Sequence, residues 1–302
     1  MSSRTFAGVA RLFNLKVQVD NTIGRASVIF PGLSMGDFDA LGNPSLWRVQ
    51  NLLTMARIVA YHDGKCGSDG NTFLEYDKMT SDRMTFMASS EIELSEKFYE
   101  IRNQEQFPIK IAVHLGYIGK SSVLSVAEMT NGITGEFLGK GGNQVVSVSR
   151  ETRKPTALPD WWRDKYKHLV VENKALIVQR LEKPDKVHKY DTKVSWSDTD
   201  RYRHTNQATY TRFCIDAATD ASIKGYFSKL TGDIRQYHVK TYDVLYIGES
   251  LAGDHITVET WENDENPSLI HFQISKDEKA LFQSSIEFHS TEPGTGDFMK
   301  PS

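Results

Sequence analysis

Two stretches of the chain carry apolar residues at the three- and four-residue spacing of an amphipathic helix. The first runs from Leu46 to Ala60 and the second from Tyr210 to Ala221. Runs typical of β-strands follow each of them: residues 84–94, 122–127 and 144–148 after the first, and 256–260, 269–274 and 280–288 after the second. Each half is therefore predicted to contain a long helix and consecutive antiparallel strands, which is an α+β arrangement.

Residue types that favour particular backbone positions predict where these elements begin. Asn43 can cap the first helix, with Pro44 at its first helical position, and Asn206 or Thr205 can cap the second. The glycine-rich run 139–143 could cradle a phosphate, but hairpin turns prefer the same residues. We therefore predict a turn at this run.

The segments before the two helices repeat each other. Asp37 and Asp39 recur as Asp198 and Asp200, 161 residues further along the chain. A second echo pairs Tyr117–Lys120 with Tyr246–Glu249, at an offset of 129 residues. The difference between the offsets predicts about 32 additional residues in the first half, and we assign them as an insertion near residues 63–106.

The repeat suggests a division of the chain into three parts. We predict an N-terminal repeat over residues 12–155, a linker over 156–186 and a C-terminal repeat over 187–290. The linker contains prolines and many charged residues, with a short helix expected at 160–166. At 302 residues the chain is long enough for two domains of ordinary size.

Composition limits the possible partners. The net charge of -3 argues against a nucleic-acid role, because phosphate binding requires a concentrated basic face. No apolar run approaches the roughly 20 residues of a membrane-spanning helix. The two cysteines, Cys66 and Cys214, have no metal-ligand or redox spacing and are read as free thiols. We expect a cytoplasmic protein, with a mitochondrial one as the alternative because the first 19 residues are basic and lack acids.

The run from Ser197 to Tyr210 concentrates polar chemistry at the start of the second helix. Asp200 could act as a base or nucleophile, and His204 could orient water or protonate a leaving group. His204 could equally tie the loop to the sheet. For Asn206 a capping role is favoured, while the helix N-terminus that it begins could stabilise an oxyanion. These are the groups that thioester cleavage needs.

The same run resembles the motif of the 4-hydroxybenzoyl-CoA thioesterase and plant acyl-ACP thioesterase families, which have the hotdog fold. Their pattern of Ser-Asp-x-Asp, His-x-Asn and a helical Tyr is matched without a gap. The matching residues are Ser197, Asp198, Asp200, His204, Asn206 and Tyr210. The resemblance implies two hotdog repeats in one chain, a pseudo-dimer with acyl-thioester sites between its halves. Each repeat would be a long helix packed on an antiparallel sheet.

The resemblance also implies roles for individual residues. Asp200 takes the position of the catalytic carboxylate, with His204 and Asn206 beside it. Gln207, Tyr210, Asp39 and Asn43 are expected near the substrate, although the spacing of Tyr210 also suits a core position. The first loop lacks the histidine and is expected to be mainly structural. In the plant enzymes an Asn stands where this chain has Tyr202, and an acid and a Cys lie on the strand after the helix. Residues 239–246 offer only Asp243, which we cannot assign to that position.

The leading hypothesis is an acyl thioesterase that hydrolyses an acyl-CoA or acyl carrier protein thioester. The alternative is a non-catalytic protein that binds acyl thioesters or lipids, and a hydroxyacyl-thioester dehydratase is a weaker third. No metal and no cofactor are expected. A homodimer of such chains remains possible beside the internal pseudo-dimer.

Overall fold

The structure, a computed structural model, describes residues 15–62, 70–103, 107–200 and 203–294. In these ranges the α-helices are α1 Leu46–His62, α2 Tyr76–Met79, α3 Glu96–Tyr99, α4 Asp160–Tyr166 and α5 Gln207–Ile223. The strands of the first half are β1 Lys16–Asp20, β2 Arg25–Phe30, β3 Arg83–Leu94, β4 Ile109–Ile118, β5 Ser122–Asn131 and β6 Phe137–Ser149. Those of the second half are β7 His188–Lys193, β8 Val239–Tyr246, β9 His255–Glu262, β10 Leu269–Lys276 and β11 Lys279–Phe288. Every predicted strand run is found, and so is the short helix predicted at 160–166.

Contacts divide the chain into two compact units. Unit 1 comprises Met1–Leu33, Leu52–Ser90 and Glu105–Ile177, and unit 2 comprises Ser34–Asn51, Glu91–Gln104 and Val178–Ser302. The first six residues of α1 thus belong to unit 2 and the rest of α1 to unit 1. The domain boundaries at residues 155 and 187 stay a prediction.

The two halves share one strand order. In the first half the sheet order is β2-β4-β5-β6-β3, with β1 added outside β2. In the second half it is β7-β9-β10-β11-β8. When β1 is left aside and the strands are numbered within each half, both sheets have the order 1-3-4-5-2. The strand pairs for which register is defined are all antiparallel.

The two long helices are also equivalent. Each has 17 residues, and their first and last residues are 161 positions apart. The predicted apolar stripes are buried: Leu46, Val49, Leu53, Ala56, Val59 and Ala60 in α1, and Tyr210, Phe213, Cys214, Ala217 and Ala221 in α5. Helix α5 packs against β7 and β9 of its own unit. Burial of these stripes supplies most of the driving force that holds each helix on its sheet.

A polar contact joins the two helices within unit 2. The hydroxyl of Thr211 donates to Oε1 of Gln50 at 2.5 Å and is 2.8 Å from the hydroxyl of Tyr242 in β8. Gln50 and Thr211 occupy equivalent positions in the two helices, 161 residues apart. All three residues are buried, so the hydrogen bonds satisfy polar groups that would otherwise be costly inside the core.

One repeat assignment is wrong, because the pairing of Tyr117–Lys120 with Tyr246–Glu249 joins strands that are not equivalent. With β1 left aside, Tyr117 lies in β4, the third strand of the first half, whereas Tyr246 ends β8, the second strand of the second half. The counterpart of β8 is β3, inside the segment read as an insertion. The offset of 161 persists to short 3-10 helices at Phe73–Glu75 and Ile234–Gln236. The additional residues of the first half therefore come after residue 75.

The glycine-rich run 139–143 is not a turn. It lies inside β6, where Gly141 and Gly142 pair with Ala127 and Val126 of β5. The carbonyl of Gly141 also accepts a hydrogen bond from the Arg57 guanidinium of α1. Sheet pairing thus supplies the backbone bonds of this run, and composition alone was a poor guide to its conformation.

In the described part of the chain no helix is long and apolar enough to cross a membrane. The basic N-terminal residues 1–14 and Cys66 lie outside the described residues. Cys214 is a free thiol inside the core, where burial raises its pKa to about 12. Such a thiol behaves as a small apolar group.

Candidate active site

The second motif loop, residues 195–206, closes on itself just before α5. Its residues 201 and 202, and with them the Tyr202 departure, lie outside the described residues. Asp200 donates its backbone N–H to the carbonyl of His204 at 2.8 Å, and its Oδ1 accepts the N–H of His204 at 3.2 Å. Asp200 is exposed and the His204 side chain is one-third exposed. The loop therefore presents a carboxylate and an imidazole together at the protein surface.

Asp198 fastens this loop. Its side chain is almost fully buried, accepts the backbone N–H of Ser195 at 2.9 Å and pairs with the Arg212 guanidinium at 2.6 Å. Its backbone carbonyl accepts the N–H of Asn206 at 2.9 Å. These contacts fit the structural role that the sequence suggested for this first carboxylate of the motif.

Asn206 is the N-cap of α5, which confirms the capping prediction. Its side-chain oxygen accepts the N–H of Ala208 at 2.9 Å, and Gln207 is the first helical residue. Only Thr205 separates His204 from this cap residue. The partial positive charge of a helix N-terminus therefore follows directly on the segment that carries Asp200 and His204.

Glu249 is a candidate that the sequence analysis missed. Its Oε2 lies 3.5 Å from Nε2 of His204, and its side chain is half exposed. Asp243, the only acid considered earlier, lies instead within β8, where burial and then the neighbouring Glu287 raise its pKa. The relevant acid comes three residues after β8 ends. In the sequence, Glu249 is the last residue of the Tyr246–Glu249 echo.

Ser250 connects the Glu249 segment to the loop and to α5. Its carbonyl accepts the N–H of Thr205 at 2.8 Å, and its Oγ lies 2.7 Å from the Thr205 hydroxyl. The hydroxyl of Tyr210 lies 2.8 Å from the same Oγ and accepts the Ser250 N–H at 2.9 Å. Tyr210 is buried and stacks on Phe282 with ring centroids 5.0 Å apart. Tyr210 therefore acts as an anchor for the acidic segment.

The first motif loop, residues 34–45, has the same backbone pattern. Asp39 donates its N–H to the carbonyl of Asn43 at 2.8 Å, and its Oδ1 accepts the Asn43 N–H at 3.0 Å. Asn43 is buried, and its side-chain amide donates to the carbonyl of Arg235 at 2.9 Å. It does not occupy the cap position, because Ser45 directly precedes the helix and its carbonyl accepts the N–H of Val49 at 3.0 Å. Helix α1 begins at Leu46, so Pro44 is not its first residue. The prediction for this helix start was wrong.

Asp39 sits in a different electrostatic setting from Asp200. It is half-buried, and this burial raises its pKa, while hydrogen bonds from the N–H groups of Asn43 and Leu41 and the Arg235 charge oppose the rise. The Arg235 guanidinium itself pairs with Asp233 at 2.6 Å. The first loop thus keeps a carboxylate but has an amide, Asn43, where the second has an imidazole.

A polar groove of about 750 Å³ lies elsewhere in unit 2. It is lined by residues of β7, β9 and β10, together with Lys183 and the turn at Asp277 and Glu278. None of the predicted site residues lines it. Among the described residues, no group of three or more His, Cys, Asp or Glu side chains is arranged to hold a metal ion.

Comparison with known proteins identifies the fold. No protein-family profile and no curated protein matches the sequence. Among solved structures, a 12:0-ACP thioesterase from Umbellularia californica is 15% identical, with a TM-score of 0.65, and the match covers 88% of this chain and 97% of that one. A protein from Lactobacillus plantarum described as an oleoyl thioesterase is 15% identical, with a TM-score of 0.67 and coverages of 87% and 95%.

A third solved structure agrees with these two. An acyl-ACP thioesterase from Bacteroides thetaiotaomicron is 14% identical, with a TM-score of 0.66, and the match covers 90% of this chain and 100% of that one. At this identity the likeness concerns the fold. Together with the repeated strand order and the paired helices, it shows that the chain has an α+β hotdog fold, present as two repeats.

Proposed function

We propose that this protein is an acyl thioesterase that hydrolyses an acyl-CoA or acyl carrier protein thioester. The observation that carries the proposal is the cluster of Asp200, His204 and Glu249 at the N-terminus of α5. The three structural neighbours are named as thioesterases, two of them for substrates on an acyl carrier protein, which supports the same reaction class.

In the proposed mechanism, Asp200 removes a proton from a water molecule that attacks the thioester carbon. The α5 N-terminus stabilises the negative charge that develops on the carbonyl oxygen. The carbon–sulfur bond then breaks, and His204 supplies a proton to the leaving thiolate. Glu249 would hold the imidazole in place and stabilise the positive charge on it. Direct attack by the Asp200 carboxylate would give an anhydride that water then cleaves, with the same products.

Ser250 is not the nucleophile in this proposal. The resembling plant enzymes place a Cys on the strand after the helix, and here Ser250 follows the acid Glu249. Its hydroxyl is fully buried and lies within hydrogen-bonding distance of the Thr205 and Tyr210 hydroxyls. A hydroxyl held in this way is a positioning group. The chemistry is therefore assigned to Asp200.

The direct test is release of free thiol from a panel of acyl-CoA and acyl carrier protein thioesters of different chain length. We expect hydrolysis of at least one member, followed with a thiol reagent. Tight binding of acyl-CoA without thiol release would instead establish the alternative of a binding protein. Conversion of a hydroxyacyl thioester to an enoyl thioester would establish a dehydratase.

A second prediction concerns Glu249. Glu249→Gln should lower kcat by about tenfold to a hundredfold, because the neutral amide cannot stabilise charge on His204 during proton transfer. Steady-state hydrolysis of the best substrate from the panel measures the effect. Glu278→Gln, on the exposed turn between β10 and β11, is the control and should retain wild-type turnover. Equal turnover in the two variants would remove Glu249 from the mechanism.

A further inference from the structure

A large aromatic side chain stands in solvent on the loop that carries Asp200. Trp196 is 72% exposed, although it belongs to the short 3-10 helix that opens the second motif loop. Its backbone carbonyl is held by the N–H of Thr199 at 3.3 Å and by the Thr199 hydroxyl at 2.8 Å. The backbone beneath the indole is therefore fixed, while the ring itself remains available to a ligand.

Arg203 is the neighbour of this ring. Its guanidinium carbon lies 5.9 Å from the centre of the Trp196 ring, which is within range of a cation–π contact. The backbone N–H of Arg203 donates to the carbonyl of Asp200 at 3.0 Å. The indole and the guanidinium are thus attached to the loop on opposite sides of Asp200 along the chain, and the guanidinium reaches the indole.

The backbone of Arg203 provides a second, independent observation. Arg203 has a φ of 68°, in the left-handed region that non-glycine residues rarely adopt. Its counterpart in the first motif loop is Gly42, with a φ of 78°. The same conformation is therefore made by glycine in one loop and by a long cationic residue in the other. The second loop thus keeps this backbone conformation without glycine, and in that conformation the Arg203 guanidinium lies over the Trp196 ring.

The first motif loop has different residues at the positions equivalent to Trp196 and Arg203. The counterpart of Trp196 is Met35, which is 95% exposed, and the counterpart of Arg203 is Gly42, which has no side chain. The first loop also has Asn43 in place of His204. At the three equivalent positions the first loop thus carries neither the aromatic ring, nor the cation, nor the imidazole.

We propose that Trp196 and Arg203 bind the phosphate end of the 4′-phosphopantetheine arm that carries the acyl group. In this arm a carbon with two methyl groups is separated from the phosphate by a single CH₂–O unit. The methyl groups would lie on the indole, and the phosphate would pair with the guanidinium. An apolar surface with an adjoining cation is complementary to that end of the arm. The inference rests on the proposed thioesterase function and names the part of the substrate that this loop recognises.

The test uses one acyl group on thiols of increasing length. The thiols are N-acetylcysteamine, pantetheine, 4′-phosphopantetheine and coenzyme A, and an acyl carrier protein is the protein-bound form. The dimethyl group first appears in pantetheine and the phosphate in 4′-phosphopantetheine. For wild type, KM should fall by about tenfold at each of these two steps.

Each variant should abolish one of the two decreases in KM. Trp196→Ala should remove the gain between N-acetylcysteamine and pantetheine, and Arg203→Gln should remove the gain between pantetheine and 4′-phosphopantetheine. Arg203→Gly, which installs the residue of the first loop and relieves the backbone, should behave as Arg203→Gln. Met35→Ala is the matched control and should leave both steps intact. If the Trp196 and Arg203 variants showed the same two decreases in KM as wild type, the proposal would be overturned.

The remaining outcomes separate this inference from the proposed function. Wild type could hydrolyse N-acetylcysteamine thioesters without a decrease in KM for the pantetheine and 4′-phosphopantetheine thioesters. That result would support the thioesterase function and reject the recognition site. If no thioester is hydrolysed, calorimetry can test the binding site independently of catalysis by measuring the affinity of wild type and Trp196→Ala for 4′-phosphopantetheine. We expect weaker binding by the variant. An effect of the variants on the coenzyme A substrate, on the carrier-protein substrate, or on both identifies which source of the arm the site serves.

Discussion

Replacement of Asp200 by asparagine is expected to lower kcat by about 10³-fold, because an amide can neither accept a proton from water nor attack a thioester. The substitution preserves shape, and the side-chain oxygen can still accept the N–H of His204. Asp200 is exposed, so the loss of its charge should leave the folded state intact. Initial rates on the best substrate of the panel, with circular dichroism of the variant, measure both effects.

The chain offers a matched control for this experiment. Asp39 occupies the equivalent position in the first motif loop and accepts the N–H of Asn43 in the same way. The first loop has no histidine beside it, so Asp39→Asn should change kcat by no more than about threefold. If Asp39→Asn and Asp200→Asn were equally inactive, catalysis would depend on both loops and the assignment to the second would be wrong. Full activity of Asp200→Asn would reject the mechanism.

Replacement of Glu75 by glutamine is expected to be the most destabilising of the changes considered, at about 2 to 3 kcal/mol near neutral pH. Glu75 is buried within unit 1 and accepts hydrogen bonds from Lys165, from Lys78 at 2.6 Å and from the Tyr166 hydroxyl at 2.9 Å. Burial alone would raise its pKa, but these three partners outweigh burial and lower the pKa to about 2. The ionised carboxylate is therefore much better stabilised in the folded protein than in the unfolded chain.

The pH dependence follows from the direction of that shift. The ordinary pKa of the group is 4.5, so its contribution is fully present above about pH 4.5 and disappears as the pH falls towards 2. The difference in unfolding free energy between wild type and Glu75→Gln should shrink over the same interval. Urea unfolding at several pH values measures it. Glu100→Gln, which removes an exposed ion pair with Lys97, should cost less than about 1 kcal/mol. A pH-independent difference for Glu75→Gln would contradict the argument.

The helix and strand pattern could be predicted from the sequence to a large extent. The apolar stripes of α1 and α5 and the strand runs of both halves are local signals, since side-chain periodicity reports which face of an element is buried. The 161-residue offset also held, because equivalent loops and helices kept the same number of residues. Helix starts were less predictable. Asn206 caps α5 as expected, whereas α1 begins only after Ser45, and Asn43 instead donates to the Arg235 carbonyl, a contact that no local pattern reveals.

The errors arose where a local pattern had more than one structural cause. Gly119 donates its N–H to Ser122 in the turn between β4 and β5, whereas Gly248 donates to Leu281 of β11. The same short pattern therefore ends two strands that occupy different places in their sheets. Glycines at 139–143 were likewise read as a turn, although sheet pairing makes them part of a strand.

The sequence by itself determined that this protein is built from two α+β repeats and that the second repeat keeps the more complete set of reactive groups. Those conclusions depend on residue type and on spacing along one segment, and both can be read directly from the sequence. Only the tertiary structure brought Glu249 to within 3.5 Å of His204 and buried the hydroxyl of Ser250. It also placed the Arg203 guanidinium over the ring of Trp196. These contacts depend on where the side chains of one segment meet those of another, which residue spacing along a single segment does not specify.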